Sequence, residues 1–140
     1  MEATDAPLLV LCHDGGWDHL YQAASCAGSA AAAGRRCDLV FFFWALERLA
    51  ADRLDEIELQ PRDAEREALL AAQSQEVGTR SVSSMLNAAR KTGLVRLFAC
   101  SASANLVGAD VDVVAERVDE IIGWPTVLRL SERAAHVLYL

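Results

Sequence analysis

Short, continuous runs of apolar residues alternate with segments of helical spacing along the whole chain. A run of this length without polar alternation is typical of a strand that is covered on both faces, as in a parallel sheet. Five such runs predict five strands. They are 8–12, 37–43, 94–99, 118–122 and 136–140.

The segments between these runs predict helices. The clearest is 81–92, where Val82, Met85, Leu86 and Ala89 form one apolar face and Ser81 can cap the N-terminus. Glycines follow three of the predicted helices, as expected at a C-terminal cap; they are Gly34, Gly93 and Gly108. The predicted helices are 17–33, 44–53, 81–92, a short stretch from 100 to 107, a turn at 112–116, and 125–134.

Alternating strands and helices favour parallel strand pairing with right-handed crossovers and helices on both faces of an α/β sheet. A chain of 140 residues fits one domain, so we predict a single domain over 1–140. The segment 55–75 carries a high density of charge and is predicted to be a solvated surface insertion within that domain. The order of the strands in the sheet cannot be read from this pattern.

Charge and hydropathy narrow the choice of partners and compartment. The formal net charge of −7 argues against nucleic acid as a partner, because binding it requires a basic face. No segment reaches the ~20 apolar residues of a membrane helix. The start of the chain lacks the basic region of a signal peptide. We therefore expect a cytoplasmic protein without a transmembrane segment, whose four cysteines are thiols.

Cys100 is the strongest candidate for chemistry. It follows the third predicted strand and is predicted to open a short helix at the carboxyl edge of the sheet, where ligand sites of α/β folds collect. A helix N-terminus stabilises a thiolate or a persulfide anion, and Ser101 and Ser103 could donate hydrogen bonds there. The alternative is that Cys100 is a buried small apolar residue. Position alone does not decide between the two.

The other cysteines favour packing roles. Cys12 ends the first predicted strand and precedes His13; it could be a second thiol, although a packed Cys12 is the favoured interpretation. Neighbouring strand residues point to opposite faces, so Cys12 and His13 are not expected to cooperate. Cys26 and Cys37 are predicted to lie in the core.

Two further positions border the carboxyl edge. The segment 14–18, DGGWD, is predicted to be a tight turn in which Asp18 caps the following helix; it lacks a P-loop lysine, so a flavodoxin-like ligand binder is the least favoured function. Trp44 could wall a pocket, or belong to the core or an interface. The three histidines have no metal-ligand spacing, and we expect neither a metal nor a cofactor.

Three segments together resemble the DsrE/DsrF/TusD family of sulfur-relay proteins. They are 98–108, FACSASANLVG, which resembles the family's strand–Cys–helix–Gly segment; 37–46, CDLVFFFWAL, which is similar to its second strand; and 118–123, VDEIIG. With the final helix and strand, the resemblance spans nearly the whole chain. The charged segment 55–75 departs from the more compact members.

The resemblance implies a three-layer α/β/α sandwich with a five-stranded parallel sheet, and homo-oligomers such as trimers or hexamers. It implies that Cys100 carries sulfane sulfur as a persulfide, and that Trp17 and Asp18 border it. The expected function is a sulfur carrier or sulfurtransferase, whose partners are sulfur-donor and sulfur-acceptor proteins. The alternative is a non-catalytic assembly or interaction subunit of the same fold.

Overall fold

A computed structural model describes residues 6–140 and contains one five-stranded sheet. All of its strand pairs are parallel, in the order β4-β3-β2-β1-β5. The five predicted strands are confirmed, each within a few residues of its expected bounds. They are β1 (Leu8–Cys12), β2 (Cys37–Phe41), β3 (Val95–Cys100), β4 (Glu120–Ile122) and β5 (His136–Tyr139).

The connections between the strands are helical. They are α1 (Trp17–Ala32), α2 (Phe43–Ala50), a 3-10 turn (Pro61–Arg66), α3 (Glu67–Val77), α4 (Val82–Lys91), α5 (Ser101–Leu106), α6 (Val111–Arg117) and α7 (Trp124–Arg133). The predicted cap of α4 is confirmed, because the Ser81 hydroxyl accepts a hydrogen bond from the Ser84 N–H at 3.1 Å. The prediction that Asp18 caps α1 is wrong. Gly16 occupies the N-cap position of that helix, so Asp18 lies inside its first turn.

Side chains alternate between the two faces of the sheet, and each face has its own apolar cluster. We call these the α1-side cluster and the α7-side cluster. The α1-side cluster contains Val10, Leu39 and Leu97, covered mainly by α1, α2 and α4. The α7-side cluster contains Leu9 and Val40 and is closed by Val127 of α7, among others. Helices therefore lie on both sides of the sheet, which gives the predicted three-layer α/β/α sandwich.

The charged segment lies on the surface, as expected from its composition. Over the described residues 61–77, no side chain is buried. Its ends are nevertheless attached to the fold. The Asp55 carboxylate accepts hydrogen bonds from both the N–H and the hydroxyl of Ser83, and the Glu67 carboxylate accepts one from the Leu59 N–H at 2.9 Å.

One ion pair between a buried aspartate and a half-exposed arginine connects two central strands on the α7 side. Asp38 of β2 is 2% exposed, and its two carboxylate oxygens accept hydrogen bonds from Arg96 of β3 at 2.9 and 3.0 Å. The hydrogen bond to Asp38 is the main reason that the pKa of Arg96 is raised. The guanidinium also lies 5.1 Å from the centre of the Phe98 ring. The two hydrogen bonds from Arg96 offset the cost of burying the negative charge of Asp38.

Within residues 6–140, no helix combines the length and the apolar character needed to cross a bilayer.

Candidate functional site

Cys100 is the last residue of β3, at the carboxyl edge of the sheet. Its register partner in β4 is Ile122. On the other side, Ala99 pairs with Phe41, so Phe42 follows β2 at the level of Cys100. Phe42, Cys100 and Ile122 therefore form a row across three neighbouring strands, and all three belong to the α7-side cluster.

The side chain of Cys100 is buried in the α7-side cluster. The residue is 2% exposed and lies in the same apolar cluster as Leu11, Val40 and Val127. The helix that follows, α5, has only six residues, and Cys100 occupies its N-cap position without a side-chain capping bond within the described chain. The structure therefore agrees with the alternative in which Cys100 is a buried small apolar residue, and its thiol does not reach solvent.

Phe42 of this row belongs to a stacked pair of aromatic rings. Phe42 and Trp124 stack with ring centroids 5.3 Å apart and an interplanar angle of 29°. They follow β2 and β4, which lie on either side of β3, so the pair bridges the end of the strand that carries Cys100. Phe42 is buried, whereas Trp124 is 50% exposed. Trp124 is therefore the outer ring of the pair.

The two serines that were predicted to line the site differ in their exposure. Ser101 follows Cys100 directly and is exposed, whereas Ser103 is buried one turn into α5. Ser101 is therefore placed to contact a ligand that arrives at the edge of the sheet, and Ser103 is part of the packed interior.

The structure does not bring Cys12 and Cys100 together. Cys12 ends β1 in the α1-side cluster, whereas Cys100 belongs to the α7-side cluster on the opposite face. Burial is the main cause that raises the pKa of the Cys12 thiol, with the charge of Cys26 adding to it. This environment favours the packed interpretation of Cys12.

The other residues predicted to line the site also lie away from Cys100. Trp17 is buried in the α1-side cluster with its ring 5.0 Å from that of Tyr21, and Asp18 is exposed on α1. Trp44 is 50% exposed and lines a separate cleft of about 220 Å³ with Gly15, Arg48 and others. Arg48 is buried there and donates a hydrogen bond to Glu58 at 3.1 Å.

Position 15 at this cleft has no room for a side chain, so it requires glycine. A Cβ on that residue would lie 2.9 Å from both the Cβ and the carbonyl oxygen of Trp44, which is closer than side chains pack. The turn predicted over 14–18 is thus fixed against α2. Asp14 supports it by accepting hydrogen bonds from the Gly16 N–H at 2.8 Å and from Gln60 at 2.7 Å.

Sequence reasoning missed the aromatic residues of the carboxyl edge. Besides Phe42 and Trp124, the hydroxyl of Tyr139 lies 2.9 Å from Nδ1 of His13, whose ring stacks on Phe43 at 5.6 Å. The signal was present, because each of these residues lies at or just beyond the end of a predicted strand. An aromatic residue there can only be assigned to the site once the strand order is known.

Among the described residues, no three side chains of His, Cys, Asp or Glu come together as a set that could ligate a metal ion.

A scan against protein-family models gives no match, and a search of curated protein sequences gives none either. Among solved structures, the chain is similar to MTH1491, a protein of unknown function from Methanobacterium thermoautotrophicum. The sequence identity is 16% and the TM-score is 0.57, over 97% of this chain and 100% of that one. At this identity the likeness shows the α/β fold, and it assigns no activity.

Proposed function

We propose that this protein is a cytoplasmic sulfur carrier that holds sulfane sulfur as a persulfide on Cys100. The observation that carries the proposal is the place of Cys100, at the end of a central strand and on the edge where α/β proteins hold reactive groups. The resemblance of segment 98–108 to the DsrE/DsrF/TusD family supports the same residue. Sulfur-donor and sulfur-acceptor proteins would be its partners.

The proposed transfer conserves atoms and electrons. The Cys100 thiolate attacks the outer sulfur of a donor persulfide, the S–S bond of the donor breaks, and the donor leaves as a thiolate. Cys100 then carries the persulfide. In the second step, an acceptor thiolate attacks the outer sulfur of this persulfide and releases Cys100 as a thiolate. No oxidant or cofactor is consumed.

Transfer requires an opening, since Cys100 is 2% exposed. In this proposal the opening is a separation of the Phe42–Trp124 pair, whose rings follow the two strands on either side of β3. Trp124 is half exposed and begins α7 directly after Gly123, so its ring can leave the stack with little disturbance of the core. A donor protein that packs against Trp124 would favour the open form.

The proposal is tested by intact mass spectrometry after incubation with a persulfide donor. Cys26 is partly exposed and can take up sulfur itself, so the comparison is made in the Cys26→Ala variant. We expect Cys26→Ala to gain one sulfur atom and Cys26→Ala/Cys100→Ala to gain none. Alanine is chosen because it keeps an apolar side chain in the α7-side cluster. The matched control is Cys26→Ala/Cys12→Ala, which should still load sulfur. Loading that survives in Cys26→Ala/Cys100→Ala overturns the assignment of the carrier residue.

A specific observation favours a second function, an assembly or interaction subunit of the same fold. Cys100 is buried, and several large apolar side chains are exposed on α7 and β5. They are Trp124, Leu128, Val137, Leu138 and Tyr139. β5 is an edge strand whose residues are all exposed, and exposed apolar side chains on such an edge favour an interaction surface. A second copy of this chain is the proposed partner, in trimers or hexamers.

Light scattering separates the two functions. A Leu138→Glu variant that dissociates an oligomer, in a protein that gains no sulfur from a persulfide donor, supports the assembly role. Sulfur loading on Cys100 in wild type supports the carrier, whatever the oligomeric state. A monomeric wild-type protein at micromolar concentration contradicts the assembly role.

A further inference from the structure

The two edge strands of the sheet, β4 and β5, differ in how well they are protected against pairing with another strand. β4 has three residues, and the acidic residues Asp119 and Glu120 are exposed at its start. β5 has four residues, all of them exposed, and the sequence 134–140, AAHVLYL, contains no Asp, Glu, Lys, Arg or Pro. Charged residues and proline are common means of preventing edge pairing. The β5 edge is therefore open to another strand.

Half of the backbone groups of β5 face away from the sheet. The Leu140 N–H donates to the carbonyl of Leu11 in β1 at 2.8 Å. Backbone direction alternates along a paired strand, so Leu138 also bonds to β1. Val137 and Tyr139 therefore direct their N–H and C=O groups outward. Since β5 pairs with β1 alone among the described strands, these four groups have no partner strand.

Both faces of this edge are apolar. Val137 is in register with Leu9 of the α7-side cluster, so Val137 and Tyr139 lie on that face. Leu138 is in register with Val10 and lies on the α1 side. All three side chains of β5 are among the exposed large apolar residues. A partner strand would thus bury apolar surface on both faces of the sheet.

The distribution of charge favours a second copy of the chain as this partner. Two copies that each carry a net charge of −7 repel one another, and they approach most easily through surfaces that carry no charge. The β5 edge is such a surface. Pairing through β4 would instead bring Asp119 and Glu120 of each copy close to the same carboxylates of the other.

We propose that β5 pairs antiparallel with β5 of a second copy, so that two sheets of five strands become one continuous sheet of ten. Leu138 lies on the two-fold axis, opposite the partner subunit's Leu138. Val137 and the partner's Tyr139 form a hydrogen-bonded pair, and so do Tyr139 and the partner's Val137. The contact rests on the second proposed function, the assembly role, and it gives that role a defined surface.

This register uses every outward backbone group of the strand. Each Val137 exchanges two hydrogen bonds with a partner's Tyr139, which gives four across the contact. A register centred on Val137 would set Tyr139 against the partner's Ala135. The Ala135 N–H is already used, because it donates to the Pro7 carbonyl at 2.9 Å. A shift by one residue would set side chains of opposite faces against each other.

The contact also distinguishes the proposed oligomers. Antiparallel pairing of two identical strands is an isologous contact about a two-fold axis. A hexamer built from three such dimers contains this axis, whereas a cyclic trimer does not. The proposal therefore predicts an even number of subunits.

The test is disulfide linking across the two-fold axis. Leu138→Cys is introduced together with Cys26→Ala, which removes the partly exposed thiol. Opposed residues of a non-hydrogen-bonded antiparallel pair have Cα atoms about 4.5 Å apart, within the range that a disulfide spans. Mild oxidation with diamide should link two chains. Leu69→Cys/Cys26→Ala is the matched control and should stay unlinked, because Leu69 is exposed on α3, outside the contact.

Two further cysteine variants test the register in the Cys26→Ala background. Val137→Cys and Tyr139→Cys should link to each other once the two proteins are mixed and exchange subunits. Val137→Cys alone should not link, because the two copies of this residue lie diagonally, about 7–8 Å apart. Linking of Val137→Cys to itself would overturn the register.

Proline variants test the backbone pairing. Val137→Pro removes an outward N–H and leaves the ladder to β1 intact, so the circular dichroism spectrum should be unchanged. The dissociation constant in ultracentrifugation should rise about tenfold or more relative to Val137→Ala, because each dimer loses two hydrogen bonds. Leu138→Pro removes a donor to β1 and should lower the unfolding temperature instead. Equal dissociation constants for Val137→Pro and Val137→Ala would overturn the backbone pairing.

The outcomes separate this contact from the assembly role as a whole. An oligomeric wild-type protein whose Leu138→Cys/Cys26→Ala variant does not link overturns the β5 contact and leaves the assembly role standing. Equal linking at positions 138 and 69 also overturns the contact, because random collision then explains both. A monomeric wild-type protein overturns the contact and the assembly role together.

Discussion

Phe42 and Trp124 stack at 5.3 Å although they follow strands that are not neighbours. β3 lies between those strands, and Cys100 is its last residue. The pair therefore lies beside the end of the strand that carries the thiol, and Phe42 shares the α7-side cluster with Cys100. We expect access to Cys100 to depend on how firmly the two rings hold together.

Removing the outer ring should expose the thiol. In Trp124→Ala, we expect alkylation of Cys100 by iodoacetamide to accelerate about two- to tenfold, because an aromatic pair contributes about 0.5–1.5 kcal/mol beyond the area it buries. The rate is measured by mass spectrometry of the peptide that contains Cys100. Circular dichroism should show an unchanged fold, since Trp124 is half exposed.

Trp44→Ala is the matched control. Trp44 is exposed to the same degree but lines a different cleft. Its replacement should leave the alkylation rate of Cys100 unchanged. Equal acceleration in both variants would indicate general loosening of the edge rather than removal of a cover.

The ion pair between Asp38 and Arg96 should be important for stability. Arg96→Met leaves the buried Asp38 carboxylate without its two hydrogen bonds, and we expect the free energy of unfolding to fall by about 3 kcal/mol. Urea denaturation followed by circular dichroism measures the loss.

The double variant Asp38→Asn/Arg96→Met tests the cause. Removing the charge together with its partner should recover part of the stability, because no unpaired carboxylate remains in the sheet. If the double variant is as unstable as the sum of the two single variants, the loss comes from packing and not from an isolated charge.

Alkylation of Cys26 should depend on pH in a distinctive way. Only the thiolate reacts, so a pKa near 7 predicts a half-maximal rate near pH 7 and a plateau above it. An ordinary thiol keeps accelerating up to about pH 8.5. Arg35→Ala should move the midpoint upward, because a positive charge that favours the thiolate is gone. A wild-type profile that still rises steeply above pH 8 would contradict this environment.

Two replacements of Cys100 should separate the effect of side-chain polarity on stability from the effect of side-chain volume. Cys100→Ala leaves a small void, whereas Cys100→Ser places a hydroxyl in the apolar α7-side cluster. We expect the serine variant to be less stable than the alanine variant by about 1–2 kcal/mol in thermal or urea unfolding, the typical penalty of an unsatisfied buried hydroxyl. Equal stabilities would indicate that solvent already reaches this position.

The strands could be predicted because their signal is local. Runs such as 8–12 are continuous and apolar, and burial on both faces of a parallel sheet requires that pattern. Their order could not be predicted, since it depends on where each crossover returns. The cap of α4 was found from Ser81 alone, whereas the cap of α1 was misplaced because Asp18 and Gly16 both suit a helix start.

The environments of the cysteines were harder to predict. The position of Cys100 at a strand end follows from the sequence, but its burial depends on Phe42 and Trp124, which are distant in the chain. Cys37 was expected in the core and is found there. Cys26 was expected there too, yet it is partly exposed, because it lies beside the buried face of α1 that Ala23, Ala27 and Ala30 form.

The most direct test of sulfur transfer is to locate the sulfur after loading. Trypsin cleaves after Arg96 and Arg117, so the peptide 97–117 contains Cys100 as its only cysteine, and the peptide 37–48 likewise contains only Cys37. After incubation with a persulfide donor and alkylation, we predict one extra sulfur on peptide 97–117, and its loss when an acceptor thiol is added. Extra sulfur confined to peptide 1–35 or 37–48, with none on Cys100, would contradict the proposed carrier.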